Sequence, residues 1–413
     1  LKEYIFKNNL KLIYKKSTSE LSSICISLEA GAGVESNILG IAHATEHMVF
    51  KNTKNRNESE INKELSKIFG FHNAMTNYPY VIYYGTMLSE DLEKGIEIFS
   101  DIIVNPNFVD DGFKEEMNVI IEELREWDEE VEQYCEDKLF LNSFSNRRIK
   151  YPIIGTEESL KNITLDDIKN FHEKFYFPGN TSIAVVSSLE FEDIKKIVSK
   201  YFKCWKNKDD KNIDTLYENN NNLIYENNNN NRFINEKEGL KTCKIEMIYP
   251  IHSLNNNEIK ALRIFNEWFG EGVNSLLYDT LRTKNGLIYD VITKIAHEKY
   301  IKLYKVTFST SKENIDKTLG LIQECIDKLE ILRADINEDV FQGLVKAYKL
   351  KRLFREEQSI VLAKELSTYD TMSGDYNVYV EEVKGVNKLT KNFIFDTAIK
   401  VLKNSSIEII IPK

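Results

Sequence analysis

The stretch GIAHATEHMVFKNT, residues 40–53, places His43 and His47 four residues apart, with Glu46 directly before the second histidine. On a helix, residues four apart share a face, with Cβ atoms about 5–6 Å from each other. Two imidazoles at that spacing can hold one zinc ion. Glu46 falls on a neighbouring part of the same face, where a carboxylate can act on water at the metal without being a ligand. The order H-x-x-E-H reverses H-E-x-x-H. The segment from Leu39 to Phe50 contains no proline, and Gly40 lies at its start, so a helix is predicted there. A lone histidine is better explained as a satisfied core or surface residue. The combination is rarer: with 6 histidines in 413 residues, a chance match is on the order of 1%.

A catalytic zinc needs a third protein ligand and an open position. The segment FKEEMNVIIEELREWDEE, beginning at Phe113, reads as a long helix. Glu115, Asn118, Glu122, Arg125, Glu126 and Glu129 form one polar stripe. Glu116, Val119, Ile120, Glu123 and Trp127 form another that is otherwise apolar. A carboxylate on a buried stripe is costly unless it is paired or bound to metal. Glu116 and Glu123 are therefore the anomalous acids, as metal ligands or as partners in a buried salt bridge.

These residues need elements to hold them. The asparagine-rich stretch at 207–231 reads as a linker with a short strand near Leu223–Tyr225. It separates residues 1–206 from residues 232–413, and the two sides share a pattern. YVIYYGTMLSEDLEKGIEIFSDII (80–103) and YIKLYKVTFSTSKENIDKTLGLIQECI (300–326) both read as strand, then amphipathic helix. Long helices follow near Phe113 and Phe341, and each side closes helix-then-strand. The expected class is α+β: two homologous domains, each a mostly antiparallel sheet with helices on one face.

Composition narrows the function. The net charge of −10 lacks the basic face that nucleic acid requires. No apolar run approaches the ~20 residues of a membrane helix, and the opening LKEYIFKNNLKLIYKK lacks a signal peptide's apolar centre. The 5 cysteines form no C-x-x-C pair, so a reducing cytoplasm is the expected compartment. No serine or cysteine sits in a recognisable nucleophile context.

With these residues in view, the chain resembles the insulinase/pitrilysin superfamily, close to the mitochondrial processing peptidase type, over nearly its whole length. GIAHATEHMVFKNT resembles the family's zinc helix, and EMNVIIEELRE (116–126) the segment carrying its third ligand. GFHNAMTNYPYVIYYG (70–85) resembles the family's Asn-Ala edge strand. FGEGVNSLLYDTLRTKNGLIYDV (269–291) resembles the segment bearing an Arg and a Tyr, here Arg282 and Tyr289. Ser187 stands where the family usually has glycine.

The resemblance implies half of a clamshell and a zinc metalloendopeptidase with one Zn2+ per chain, held by His43, His47 and Glu123. It implies Glu46 as general base, Glu116 as a supporting acid, and Asn73 and Ala74 pairing with an extended substrate by β-augmentation. Tyr289 would donate to the developing oxyanion and Arg282 would hold a substrate carbonyl. Some relatives divide the zinc and the Arg–Tyr pair between two subunits; this chain carries both, which favours a homodimer over a heterodimer. The substrate would be a flexible peptide or unfolded segment, with leader removal from a modified peptide one candidate. The alternative is a non-catalytic partner subunit of a peptidase-like assembly.

Overall fold

The computed structural model describes residues 1–145, 148–208 and 230–413. The expected linker, with its short strand, lies almost wholly outside the described residues. The chain divides into two compact units. The first comprises Leu1–Glu126, the described residues of Tyr151–Leu223, and Arg355–Tyr379. The second comprises Trp127–Lys150, the described residues of Ile224–Phe354, and Val380–Lys413. The units therefore differ from the contiguous blocks 1–206 and 232–413, because each includes a helical segment from the far half of the sequence.

The first unit is built on strands Lys2–Ile5 (β1), Lys11–Lys16 (β2), Leu21–Leu28 (β3), Phe69–Thr76 (β4), Val81–Leu88 (β5) and Thr181–Ser187 (β6). Their order in the sheet is β1-β2-β6-β3-β5-β4, so β4 is an edge. Only the β2–β6 pair is parallel. The turn before β2 has Asn9 at φ 67, a left-handed conformation that asparagine tolerates.

The second unit repeats the plan with strands Arg232–Lys237 (β7), Cys243–Pro250 (β8), Val291–Glu298 (β9), Ile301–Thr310 (β10) and Ser406–Pro412 (β11). Their order, β7-β11-β8-β10-β9, matches β2-β6-β3-β5-β4 position by position. Here too one pair, β7–β11, is parallel. Matching order and matching polarity make the duplication a property of topology, beyond the sequence pattern.

The helices that bear on the candidate site are Ile41–Val49 (α1), Glu58–Ile68 (α2), Phe113–Glu129 (α3), Val131–Ser143 (α4) and Leu165–Phe175 (α5). In the second half, Asn256–Phe269 (α6), Glu338–Glu356 (α7), Ser359–Ser373 (α8) and Lys391–Val401 (α9) complete the set used below. The pairing of α1 with α5 is repeated by α6 with α9.

On β8, Cys243, Ile245 and Met247 join a core with Phe265, Phe269 and Phe395. The alternate residues Lys244 and Glu246 are buried too, on the other face. That face is covered by α4, whose Glu132 pairs with Lys244, while Glu136 pairs with Lys305. Asn142 donates to Glu408 at 3.0 Å. In the first unit the corresponding face is covered by α8, with Ser359 hydrogen-bonded to Ser23 at 2.8 Å. Each sheet thus has a largely apolar layer on one side and one helix over a polar layer on the other. Among the described residues no helix is long and apolar enough to cross a membrane.

Candidate metal centre

Helix α1 begins where two glycine backbones meet. Gly40 has φ 84, and a Cβ there would lie 2.4 Å from the Ile154 carbonyl oxygen. Gly155 has φ 93, and its Cβ would lie 2.8 Å from the Leu39 oxygen. Only glycine meets both the left-handed backbone and the close approach. The buried Glu35 carboxylate accepts from the Gly40 N–H at 3.2 Å and the Ala42 N–H at 3.0 Å. A negative charge there satisfies open amides and complements the helix dipole. Ile41, Ala42, Ala44, Met48 and Val49 are buried, which fixes the helix's rotation. His43 and His47 then fall together, with ring centroids 4.6 Å apart.

Helix α3 brings the carboxylates. Its buried residues are Met117, Ile120, Ile121 and Leu124. This corrects the stripe read from the sequence: Val119 is 53% exposed, and Glu116 and Glu123 flank the apolar face instead of belonging to it. From that flank Glu123 Oε1 lies 3.6 Å from His43 Nε2, and Oε2 lies 3.4 Å from His47 Nε2. One donor atom from each of the three residues falls within 4.8 Å of the other two.

These separations fit a metal ion. Bonds of about 2.0–2.1 Å at a tetrahedral angle put neighbouring donors roughly 3.3–3.4 Å apart. The charge balance fits as well. Burial holds His43 neutral, with its pKa down to about 4, and neighbouring His47 pushes the same way. Burial also opposes charge on His47, yet hydrogen bonds to Glu116 and Glu123 outweigh it and carry the pKa to about 10. Both glutamates are held below the usual carboxylate range: Glu116 chiefly by its hydrogen bond to His47, and Glu123 because His47 and His43 overcome its burial. Two carboxylates against two imidazoles call for positive charge, which a proton on His47 or a divalent cation supplies.

A second layer orients the first. His47 Nδ1 donates to Glu116 Oε1 at 2.8 Å, and Lys51 Nζ donates to Glu116 Oε2 at 3.0 Å and to Glu58 at 2.8 Å. A histidine whose second nitrogen is bonded to a carboxylate is fixed in tautomer and orientation. His43 Nδ1 is buried and has no such partner among the described residues. Glu46, also buried, accepts from Thr76 Oγ1 at 2.5 Å, and its burial raises the pKa to about 6 against the lowering effect of that bond.

Asn73 and Ala74 lie on β4, at the sheet's edge. Asn73 is exposed, and its Oδ1 accepts from the Ala74 N–H at 2.9 Å. In the second unit, a π-helical turn at Asp279–Thr283 carries Arg282, whose guanidinium lies 4.7 Å from the centre of the Tyr289 ring and 5.0 Å from that of Tyr278. Tyr289 is 80% exposed. Arg282 and Tyr289, named from the sequence as a pair, are thus neighbours. Sequence reading missed Glu35, Lys51, Thr76 and Gly155. Lys51 was within reach, four residues after His47 on the same helical periodicity.

Two family models match the chain. Residues 11–157 match the model described as "Insulinase (Peptidase family M16)", and residues 162–348 match "Peptidase M16 inactive domain". The chain belongs to the insulinase family of peptidases, M16. All of His43, Glu46, His47, Glu116 and Glu123 fall within the first match. This M16 chain is 24% identical over 373 residues to an uncharacterized zinc protease of Rickettsia felis, covering 90% of this chain and 87% of that protein. It is 30% identical over 191 residues to the mitochondrial-processing peptidase subunit beta of Saccharomyces cerevisiae, covering 46% of this chain and 41% of that protein. Its fold is similar to the crystal structure of a protease from Helicobacter pylori, with TM-score 0.87 at 22% identity, over 100% of this chain and 99% of that one.

The M16 duplication also shows what the second unit lacks. Helices α6 and α7 occupy the places of α1 and α3 in the repeated topology. Helix α6 contains no histidine. Lys351 follows Phe341 by the interval at which Glu123 follows Phe113. Its ammonium lies 2.6 Å from Glu267, on α6, and 3.1 Å from Glu271. A fixed cation is part of the protein where the first unit presents a carboxylate.

Proposed function

We propose that this chain is a zinc-dependent endopeptidase that hydrolyses flexible peptides or unfolded segments. The observation that carries the reading is the convergence of His43 Nε2, His47 Nε2 and a Glu123 oxygen, with the buried Glu46 one residue from His47. His43, His47 and Glu123 would hold the ion. When bound, zinc supplies a Lewis acid that polarises a carbonyl and acidifies water.

Glu46 takes the proton from the attacking water and returns it to the leaving amine. Its pKa of about 6 suits both transfers near neutral pH. Glu116 holds the His47 ring through Nδ1, so that Nε2 is the nitrogen left for the ion. The free edge of β4 receives the substrate as an added strand, with Asn73 and Ala74 along it. Arg282 and Tyr289 supply donors for a substrate carbonyl and the developing oxyanion. The presence of both residue sets in one chain supports a homodimer in which each copy's Arg–Tyr pair completes its partner's centre. The 5 free cysteines support a reducing compartment, the cytoplasm.

The rival is a non-catalytic partner subunit, favoured by the description "inactive domain" attached to the model matching residues 162–348. Retention of His43, Glu46, His47 and Glu123 favours the enzyme. Metal analysis and cleavage of a quenched peptide library separate the two. The enzyme reading expects bound zinc and turnover that Glu46→Gln abolishes. Zinc binding with no peptide cleaved, or cleavage indifferent to Glu46→Gln, would sink it.

A further inference from the structure

The geometry points to Thr76 as a positioning residue that ties the Glu46 carboxylate to the substrate-pairing edge strand. This deepens the peptidase reading and rests on it. Thr76 closes β4 and is paired with Val81 of β5. Its hydroxyl donates to Glu46 Oε2 at 2.5 Å. Both groups are buried. A hydrogen bond to a charged group is stronger than a neutral one. Glu46 Oε1 accepts no hydrogen bond from the described residues, so the clamp leaves that oxygen available to water.

The strand supplies the coupling. Asn73 and Ala74 precede Thr76 on β4, and two residues of strand span about 7 Å. The donor that holds Glu46 therefore sits within two residues of the proposed pairing site. Beyond Thr76 the chain turns at once, with the Asn77 N–H donating to the Tyr80 carbonyl at 2.7 Å. Thr76 is anchored from that side by a closed turn. On the other side it continues into an edge strand whose outer hydrogen-bonding groups face no neighbouring strand of the sheet. A peptide added at the edge removes that freedom, and Thr76 carries the change to Glu46. The clamp acts on proton transfer, whereas peptide binding depends on the backbone of β4. Loss of the hydroxyl should accordingly lower kcat and leave KM in place.

The test uses Thr76→Val, which keeps the shape and removes the O–H, beside Thr76→Ala and Thr76→Ser. Zinc content and circular dichroism establish which variants are folded; Ala replaces Val as the hydroxyl-free variant should Val misfold. The expected result is a fall in kcat of roughly 10–100-fold for the hydroxyl-free variant, KM within about twofold, and recovery to within about threefold by Ser. A second readout does not depend on turnover: in a Glu46→Gln background, adding Thr76→Val leaves the Kd of an uncleaved peptide within about twofold. An unchanged kcat in the hydroxyl-free variant overturns the proposal, and so does a loss that Ser shares, or a weakened Kd in that background. If the zinc-loaded parent chain itself cleaves nothing, the peptidase reading fails and takes this proposal with it. An active parent with indifferent Thr76 variants sinks only the clamp.

Discussion

Glu116 shows how the proton inventory of single residues prepares the centre for a cation. With no metal, the Glu116 and Glu123 carboxylates keep His47 protonated up to about pH 10, while burial keeps His43 neutral down to about pH 4. Between those limits a zinc ion must displace one proton, from His47, since a ligating nitrogen needs its lone pair. Removal of a proton is favoured as pH rises, so apparent zinc affinity should rise about tenfold per pH unit across neutrality. Calorimetry of zinc binding in buffers of different ionisation enthalpy should count about one released proton per ion at pH 7. A count near zero would show that His47 is not a ligand. At this scale much was legible in advance. The H-x-x-E-H order and the two anomalous acids of α3 marked five residues that the fold brings together. The reason given for the acids was partly mistaken, since the buried stripe runs through Met117, Ile120, Ile121 and Leu124, of which only Ile120 was expected, and the glutamates lie beside it. Thr76 and Glu35 left no chemical signature, because a donor and an N-terminal cap gain meaning only when distant backbone arrives next to them.

The elements explain why the centre holds its shape. Helix α1 is fixed at its start by the crossing of Gly40 and Gly155, and along its side by α5. On α5, His172 is stacked on Tyr176 with centroids 4.4 Å apart, and its Nε2 donates to the Ile103 carbonyl at 2.9 Å. Gly155→Ala should force the two backbones apart and shift the N-terminus of α1. The expected cost is about 2 kcal/mol of stability, with weaker zinc binding because His43 lies in the first turn of that helix. Thermal unfolding and a chelator competition check the two effects separately. Undiminished zinc affinity in a destabilised protein would mean that the crossing supports the fold without aligning the ligands. The duplicated order of strands and helices was readable from repeated patterns. The exchange of α4 and α8 between units was not, and the reason is physical. Helix α4 lies over Lys244, Lys305 and Glu408 and answers them with Glu132, Glu136 and Asn142. A helix that packs on a polar layer shows little apolar periodicity, so nothing in its sequence reports which sheet it covers.

For the whole molecule, duplication has left two versions of one plan with different contents. The first unit presents two imidazoles and a carboxylate; the second has Lys351 held between Glu267 and Glu271. The proposed function accordingly expects one zinc per chain and assigns Arg282 and Tyr289 of the second unit to the substrate. The proposed homodimer makes that division testable by complementation. Glu46→Gln and Arg282→Ala are each expected to be inactive alone. Mixed under conditions that allow subunit exchange, they should recover about a quarter of parental activity, since half the dimers would be mixed and each would own one intact site. No recovery despite demonstrated exchange would place both residue sets in the same chain's site. Both the catalysis and the dimer proposed here require one ion shared by His43, His47 and Glu123. X-ray absorption at the zinc edge of the loaded chain tests it most directly. Two imidazole nitrogens are expected with the remaining donors oxygen, and Glu123→Ala should lose the protein-derived oxygen. Sulfur in the first shell, or a spectrum unchanged by Glu123→Ala, would contradict it.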